Sequence, residues 1–140
     1  MRQKITDDLI TESLIPTEKM LAAIIRHFGV GATAVEMTVY AYMRHLCPAY
    51  DGGMWNYYEL SNGGFYMIPE GEKLYNLVSP NSYEDTMTSK EAGITACLFA
   101  FSFVAGKYQS QRLCYHYEWL WEYISYCCSN SAQKIFAAID

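Results

Sequence analysis

The sequence predicts an α+β fold: a small antiparallel sheet of about three strands, built on a central hairpin and packed among about four to five helices. Two observations carry this. The helix-start pattern Thr-x-x-Glu occurs at Thr33 and again at Thr88, each time ahead of a run with apolar residues at helical spacing. Between those runs the period changes, and two aromatic-rich stretches flank Ser61-Asn62-Gly63-Gly64, a turn signal. With 140 residues, 51% of them hydrophobic and 18% charged, the chain has material for one packed domain over residues 1–140 and is too apolar to be disordered.

Each element has a local reason. Pro16-Thr17-Glu18 opens a first helix, along which Met20, Leu21, Ile24, Ile25 and Phe28 recur at helical spacing until Gly29. Thr33 and Glu36 form a capping box for a second helix with Val35, Val39, Tyr42, Met43 and Leu46 on its apolar stripe; Pro48 ends it. Residues 54–60 and 65–68 make the hairpin, its turn relying on glycines that tolerate positive φ. Residues 73–78 are expected as the third strand. Thr88 and Glu91 cap a third helix that stops at Gly106. Its run 92–106 carries no charge, but it is too short to span a bilayer, which needs about 20 apolar residues, and reads as a central buried helix. In 108–128, Tyr115, Tyr117, Trp119, Trp121 and Tyr123 alternate as a strand would. The length of the run, and Leu113, Tyr117, Leu120 and Ile124 at helical spacing, favour a helix. Asn130 and Gln133 suggest a cap for a short last helix burying Ile135, Phe136 and Ile139.

Charge and cysteine usage narrow the function classes. The formal charge of -5 argues against a generic nucleic-acid surface. All of the excess lies in 47–91, where Asp51, Glu59, Glu70, Glu72, Glu84, Asp85 and Glu91 face Lys73 and Lys90. Five cysteines with no C-x-x-C pattern argue against a disulfide framework. Asp7 and Asp8 interrupt the start before any signal core forms, so a cytoplasmic, reduced setting is expected.

No catalytic constellation emerges. His45 and Cys47 are two potential ligands where a closed zinc site needs four, and His27 and His116 read as isolated helix-surface or satisfied core histidines. Cys97 and Cys114 read as buried apolar thiols, and of the adjacent Cys127 and Cys128 one is expected to be exposed. Nucleophile-elbow and S-x-x-K motifs are missing, and Gly52-Gly53 and Gly63-Gly64 precede strand-like sequence, so they are turns rather than phosphate loops. No lysine has an acid two residues before it, which removes the (D/E)-x-K nucleases. Glu59, among Trp55, Tyr57 and Tyr58, is the one carboxylate whose pKa aromatic burial would raise, but it lacks a matched acid or nucleophile.

Residues 48–69, with Trp55, Tyr58-Glu59-Leu60-Ser61-Asn62-Gly63-Gly64 and Phe65-Tyr66, resemble the signature of the ArdB/KlcA antirestriction family. Arg26-His27-Phe28-Gly29, Val35-Glu36-Met37 continuing to Tyr40, and the ending Ile135-Phe136-Ala137-Ala138-Ile139-Asp140 fit as well. Ser129-Asn130-Ser131-Ala132 stands where that family tends to show a His-Pro-Glu-Ala-like start. The resemblance implies a compact α+β protein of plasmids and genomic islands that shields incoming DNA from type I restriction enzymes, with no catalytic residues and no cofactor. The implied partner is a type I restriction-modification enzyme or an associated host factor, reached directly or indirectly; from charge and the length of its apolar run, no strong nucleic-acid binding and no membrane are expected.

The residues themselves bear on how such a protein works. A DNA mimic must display one charge per about 1.7 Å of duplex axis, and an acidic excess confined to one sheet-forming segment cannot. Protein contact or an indirect host route is the expected mode. The alternatives are a small cytoplasmic interaction adaptor and an enzyme of unknown type using Glu59 or His45. Strand alternation puts Trp55, Tyr57 and Glu59 on one side and Leu60 on the other. With Leu60 assigned to the core, Trp55, Tyr57 and Glu59 are the expected outward partner-contact patch, and Asn62, Gly63 and Gly64 the structural turn.

Overall fold

The structure, a computed structural model, describes residues 10–140; the N-terminal residues on which the absence of a signal core was read lie outside them. In chain order it forms β1 (Glu12–Leu14), a 3-10 turn (Thr17–Lys19) running into α1 (Met20–Phe28), a second 3-10 turn (Gly29–Gly31) and α2 (Ala32–Leu46). Then follow β2 (Trp55–Leu60), β3 (Phe65–Pro69), β4 (Leu74–Val78), β5 (Glu84–Thr88), α3 (Ser89–Tyr108), α4 (Gln111–Cys127) and α5 (Ser129–Ile139). The α+β class is as predicted, and residues 111–127 are helical: Leu113, His116, Leu120, Tyr123 and Ile124 make one buried stripe, so the strand-like alternation of aromatics is incidental.

The hairpin forms with Glu59 opposite Phe65, Tyr57 opposite Met67 and Trp55 opposite Pro69. Its third strand is not the expected one. β1 pairs with β2, placing Glu12 opposite Leu60 and Leu14 opposite Tyr58, and the Ile15 N–H donates to the Tyr57 carbonyl (2.9 Å). The run 73–78 instead supplies β4, which pairs with β5 in a separate two-stranded sheet. The reason is that α3 already occupies the outer edge of β3. The Met67 N–H donates to the Cys97 thiol and that thiol donates back to the Met67 carbonyl, each at 3.4 Å.

Helix ends follow local chemistry where a side chain is free to cap. At Thr88 the box is complete: the Glu91 N–H donates to Thr88 Oγ1 (3.1 Å) and the Thr88 N–H to Glu91 Oε1 (3.0 Å). The box expected at Thr33 does not form. The 3-10 turn delivers the chain into α2 behind Gly31, and Glu36 is taken by the Tyr57 hydroxyl. Nor does α3 stop at Gly106; it runs to Tyr108 and ends at Gln109 in the left-handed conformation (φ 52°). Ser110 caps α4 by accepting from the Leu113 N–H (3.2 Å). α5 begins at Ser129 without a side-chain cap, so Asn130 lies in its first turn; Ile135 is buried, Phe136 and Ile139 half-buried.

The first two-thirds of the uncharged run, 92–101, is the buried centre of the molecule, with α2, α4, α5 and β3 packed around α3, whereas Ser102, Phe103 and Gly106 are exposed. On α1, Ala23, Ile24 and Phe28 face inward, whereas Leu21 and Ile25, read onto the same stripe, are exposed. Cys97 is buried but Cys114, expected buried beside it, is exposed because it follows Leu113 off the inward stripe of α4. Cys127 is exposed and Cys128 half-buried. His45 is exposed while Cys47 is buried, so the two do not converge as ligands.

α3 lies unusually close to β3. Gly93 and Cys97, one turn apart on the same helix face, oppose Ile68 and Met67. A Cβ on Gly93 would sit 2.5 Å from Ile68 Cγ2 and 2.8 Å from Ile68 Cα. Replacing a mid-helix glycine by alanine ordinarily stabilises by about 1 kcal/mol. Gly93→Ala should do the reverse, costing roughly 1–3 kcal/mol as α3 is lifted off the strand, read as a lower midpoint in urea unfolding.

Candidate functional site

Trp55, Tyr57 and Glu59 do share a face of β2, but α1 and α2 lie across it. Trp55 is 5% exposed and Tyr57 4%. Trp55 Nε1 donates to the Tyr50 hydroxyl (2.8 Å), and its ring meets Tyr40 edge-on with centroids 5.1 Å apart. The Tyr57 hydroxyl donates to Glu36 and lies 3.4 Å from the Tyr40 hydroxyl. Burial, with the Glu36 hydrogen bond next, pushes the Tyr57 phenol far above its usual value. Two members of the expected outward patch are therefore interior. The alternation held, but Leu60 on the opposite face is buried too, beneath Trp119 of α4, so its burial does not say which face is wet.

Glu59 alone reaches the rim, its side chain 33% exposed, because it stands last but one in β2 where α1 ends. Arg26 and His27, from the last turn of α1, both meet its Oε2: Arg26 as an ion pair and His27 through Nε2 at 2.7 Å. Burial pushes the Glu59 carboxyl up, but the hydrogen bonds from His27 and Arg26 outweigh it and hold the group below its ordinary value. The sequence reading expected the opposite direction. The aromatic neighbours are there, but so are a guanidinium and an imidazole from a helix more than thirty residues away in sequence.

His27 and His116 are not isolated. Their rings pack edge-on with centroids 5.2 Å apart, inside a cluster where Phe28 lies 4.5 Å from His116 and 5.3 Å from Phe65. His116 is 1% exposed and its Nδ1 has no partner among the described residues, so it is not a satisfied core histidine. Burial pushes it down to about 4, helped by the charges of His27 and Arg112 and opposed by a hydrogen bond to the His27 backbone. Burial likewise lowers His27, against the pull of Glu59.

The hairpin turn closes the other side. Gly63 adopts φ 104°, and a Cβ there would touch the Trp119 ring at 3.4 Å. Gly64 has no positive φ, but its Cβ would fall 3.0 Å from Leu60 Cδ1 and 3.1 Å from Trp119 Cβ. Asn62 Oδ1 accepts from the Gly64 N–H (3.0 Å), while its amide donates to the Trp119 carbonyl (3.0 Å) and to Glu122 (2.9 Å). Between turn, α1 and α4 lies a cleft of about 370 Å³ that Arg26, Arg112, Tyr115 and His116 help to line.

Chemically this is a carboxylate with paired donors. Among the described residues, no hydroxyl or thiol hydrogen-bonds either imidazole, and no group of three or more His, Cys, Asp or Glu is placed to hold a metal. Sequence reasoning found Glu59 but missed Arg26, His27, Glu36, Arg112 and His116. The first three lie in the flanking segments that carried the family resemblance, which pack on β2 in space; Arg112 and His116 had no local signal.

Trp55→Ala should cost about 3–5 kcal/mol, the range for emptying a buried aromatic site, and show as a lower midpoint in thermal melting. A histidine whose folded pKa is depressed loses stability as pH falls, because the unfolded chain takes the proton first. Stability should decline from pH 6.5 toward about 4, by on the order of 3 kcal/mol from His116. In urea titrations at successive pH values, His116→Phe should flatten that slope.

Comparison with known proteins agrees with this architecture. The family model described as antirestriction protein matches residues 48–140. An antirestriction protein KlcA of Escherichia coli is 37% identical over 103 residues, 72% of each chain. An uncharacterised protein of Escherichia coli K12, YafX, is 32% identical over 121 residues, covering 81% of this chain and 78% of its own. A solved structure from work on KlcA and ArdB superposes with a TM-score of 0.84 at 32% identity, over 94% of this chain and 95% of that one. Those proteins are described as having a novel fold and antirestriction activity against type I DNA restriction systems in vivo but not in vitro. The sheet built on the Trp55–Leu60 strand, the turn at Gly63 and the helices around them are thus those of the ArdB/KlcA antirestriction family, to which this chain belongs.

Proposed function

We propose that this chain protects incoming mobile-element or phage DNA from type I restriction enzymes in the cytoplasm, through protein contacts, without catalysis and without imitating DNA. The observation supporting the non-mimic reading is where the carboxylates go. Glu12 accepts from the Tyr66 and Tyr123 hydroxyls and from Lys90; Glu36 accepts from Tyr57; Glu59 is held by Arg26 and His27. Glu91 serves the Thr88 cap and accepts from Ser131 (2.7 Å). Acids spent as internal acceptors on separate faces cannot form a row at phosphate density. The KlcA and ArdB proteins' activity in vivo but not in vitro favours a route through a host factor over direct inhibition of the enzyme.

Glu59 is the contact residue we assign to this function, with Trp55 and Tyr57 beneath it as the packed support that fixes its strand. The test is plating of unmodified phage on cells carrying a type I system, with and without the protein. Plating efficiency should rise, and no rise would refute the assignment. Glu59→Gln should reduce protection with little change in melting temperature, since its partner Arg26 is 61% exposed and such pairs contribute about 0–1 kcal/mol. Full protection by Glu59→Gln would remove its contact role. Tight, salt-sensitive binding to a purified restriction enzyme would overturn the non-mimic mechanism.

A further inference from the structure

We propose that the cleft between α1, the hairpin turn and α4 binds a mononucleotide-sized phosphate ester, with Arg26 and Arg112 on the phosphate and the Tyr115–Trp119 pair as the wall for its ring. In a chain of formal charge -5, the charged side chains lining this cleft are two guanidiniums, with the neighbouring carboxylates already engaged, Glu59 by Arg26 and Glu122 by the Asn62 amide. Arg112 is exposed and has no ion pair or hydrogen bond among the described residues. Its Nη1 lies 3.2 Å from where a Gly29 Cβ would be, so Gly29, at φ 62°, leaves the guanidinium packed over bare backbone. Planar guanidiniums are suited to phosphate oxygens. Beside them Tyr115, half exposed at 48%, stacks on Trp119 with centroids 5.8 Å apart and rings inclined by 29°. Such faces accept a base or other aromatic ring.

His116 makes the ligand more specific than a bare anion. Its side chain lines the cleft and is almost wholly buried, yet Nδ1 lacks a partner, and buried polar atoms are rarely left so. Which ring nitrogen of a neutral imidazole donates and which accepts depends on its tautomer. A sugar hydroxyl, which both donates and accepts, satisfies Nδ1 in either tautomer once the ring turns toward the cleft, since that atom is closed to solvent as it stands. A carboxylate from a partner protein, an acceptor only, has no use for the aromatic wall. A volume of about 370 Å³ falls within the usual range for small-molecule sites.

The experiment is an NMR titration of the wild-type protein with AMP, adenosine, inorganic phosphate and a triglutamate peptide, alongside Arg112→Gln and Tyr115→Ala. AMP should bind saturably and shift the Tyr115, His116 and Trp119 resonances, with adenosine and inorganic phosphate each weaker by roughly tenfold or more. Either variant should weaken AMP by a similar factor at an unchanged melting temperature. Absence of saturable AMP binding, AMP binding indifferent to both variants, or triglutamate binding as tightly as AMP would each overturn the proposal. Phage plating reads the antirestriction function separately, so failure of one reading leaves the other standing.

Discussion

Met67, in the middle of β3, turns its backbone N–H and carbonyl away from β2, and both end on the thiol of Cys97. Burial pushes that thiol up to about 12, so the proton needed for the second of these bonds stays in place. One turn earlier, Gly93 lets the helix backbone close on Ile68. This contact decides much of the remaining architecture. With α3 along the outer edge of β3, the hairpin can grow only on the β2 side, where β1 joins it, and β4 must find β5 elsewhere. It also covers an edge that would otherwise offer unpaired backbone to another chain.

The aromatic richness and the acidity of the chain are two sides of one packing solution. Buried tyrosines bring hydroxyls that need acceptors, and an ionised carboxylate is a strong one. Tyr66 stacks between Tyr58 (4.9 Å) and Tyr123 (5.9 Å), and both the Tyr66 and Tyr123 hydroxyls end on Glu12 from β1. Tyr57 does the same with Glu36 of α2. A short edge strand is thereby tied to β3, to α4 and, through Lys90, to α3 by one carboxylate. Glu12 sits below its usual pKa because the hydroxyls and Lys90 outweigh the cost of its burial. An acidic sequence that looks able to display charge uses part of that charge to anchor phenols.

The site at the rim follows from the same covering of both sheet faces. α1 and α2 bury Trp55 and Tyr57 and bring Arg26 and His27 to Glu59, while α4 buries Leu60 and brings His116 and Arg112 to the same place. The site is where three elements end together beside the turn. Its lone carboxylate is stabilised in the charged form, whereas its histidines are kept neutral by burial.

What the sequence determined by itself was whatever depends on near neighbours along the chain. The Thr88 cap, the inward stripe of α4, the Asn62-Gly63 turn and the hairpin around it all satisfy their requirements within a few residues, and all are present. Glu59 was legible as chemically unusual from its aromatic surroundings. The tertiary structure decided the competitions. The box expected from Thr33 failed because the 3-10 turn starts α2 at Ala32, which leaves Thr33 inside the helix, and Tyr57, twenty-one residues from Glu36, holds the carboxylate. The strand expected at 73–78 was displaced because a helix took the edge it needed. The face of Trp55 and Tyr57 was misassigned because alternation fixes which residues share a side, whereas the helices that arrive decide which side is dry. The sign of the Glu59 shift was missed because donors brought by the fold act more strongly on a charge than the apolar neighbours visible in the sequence.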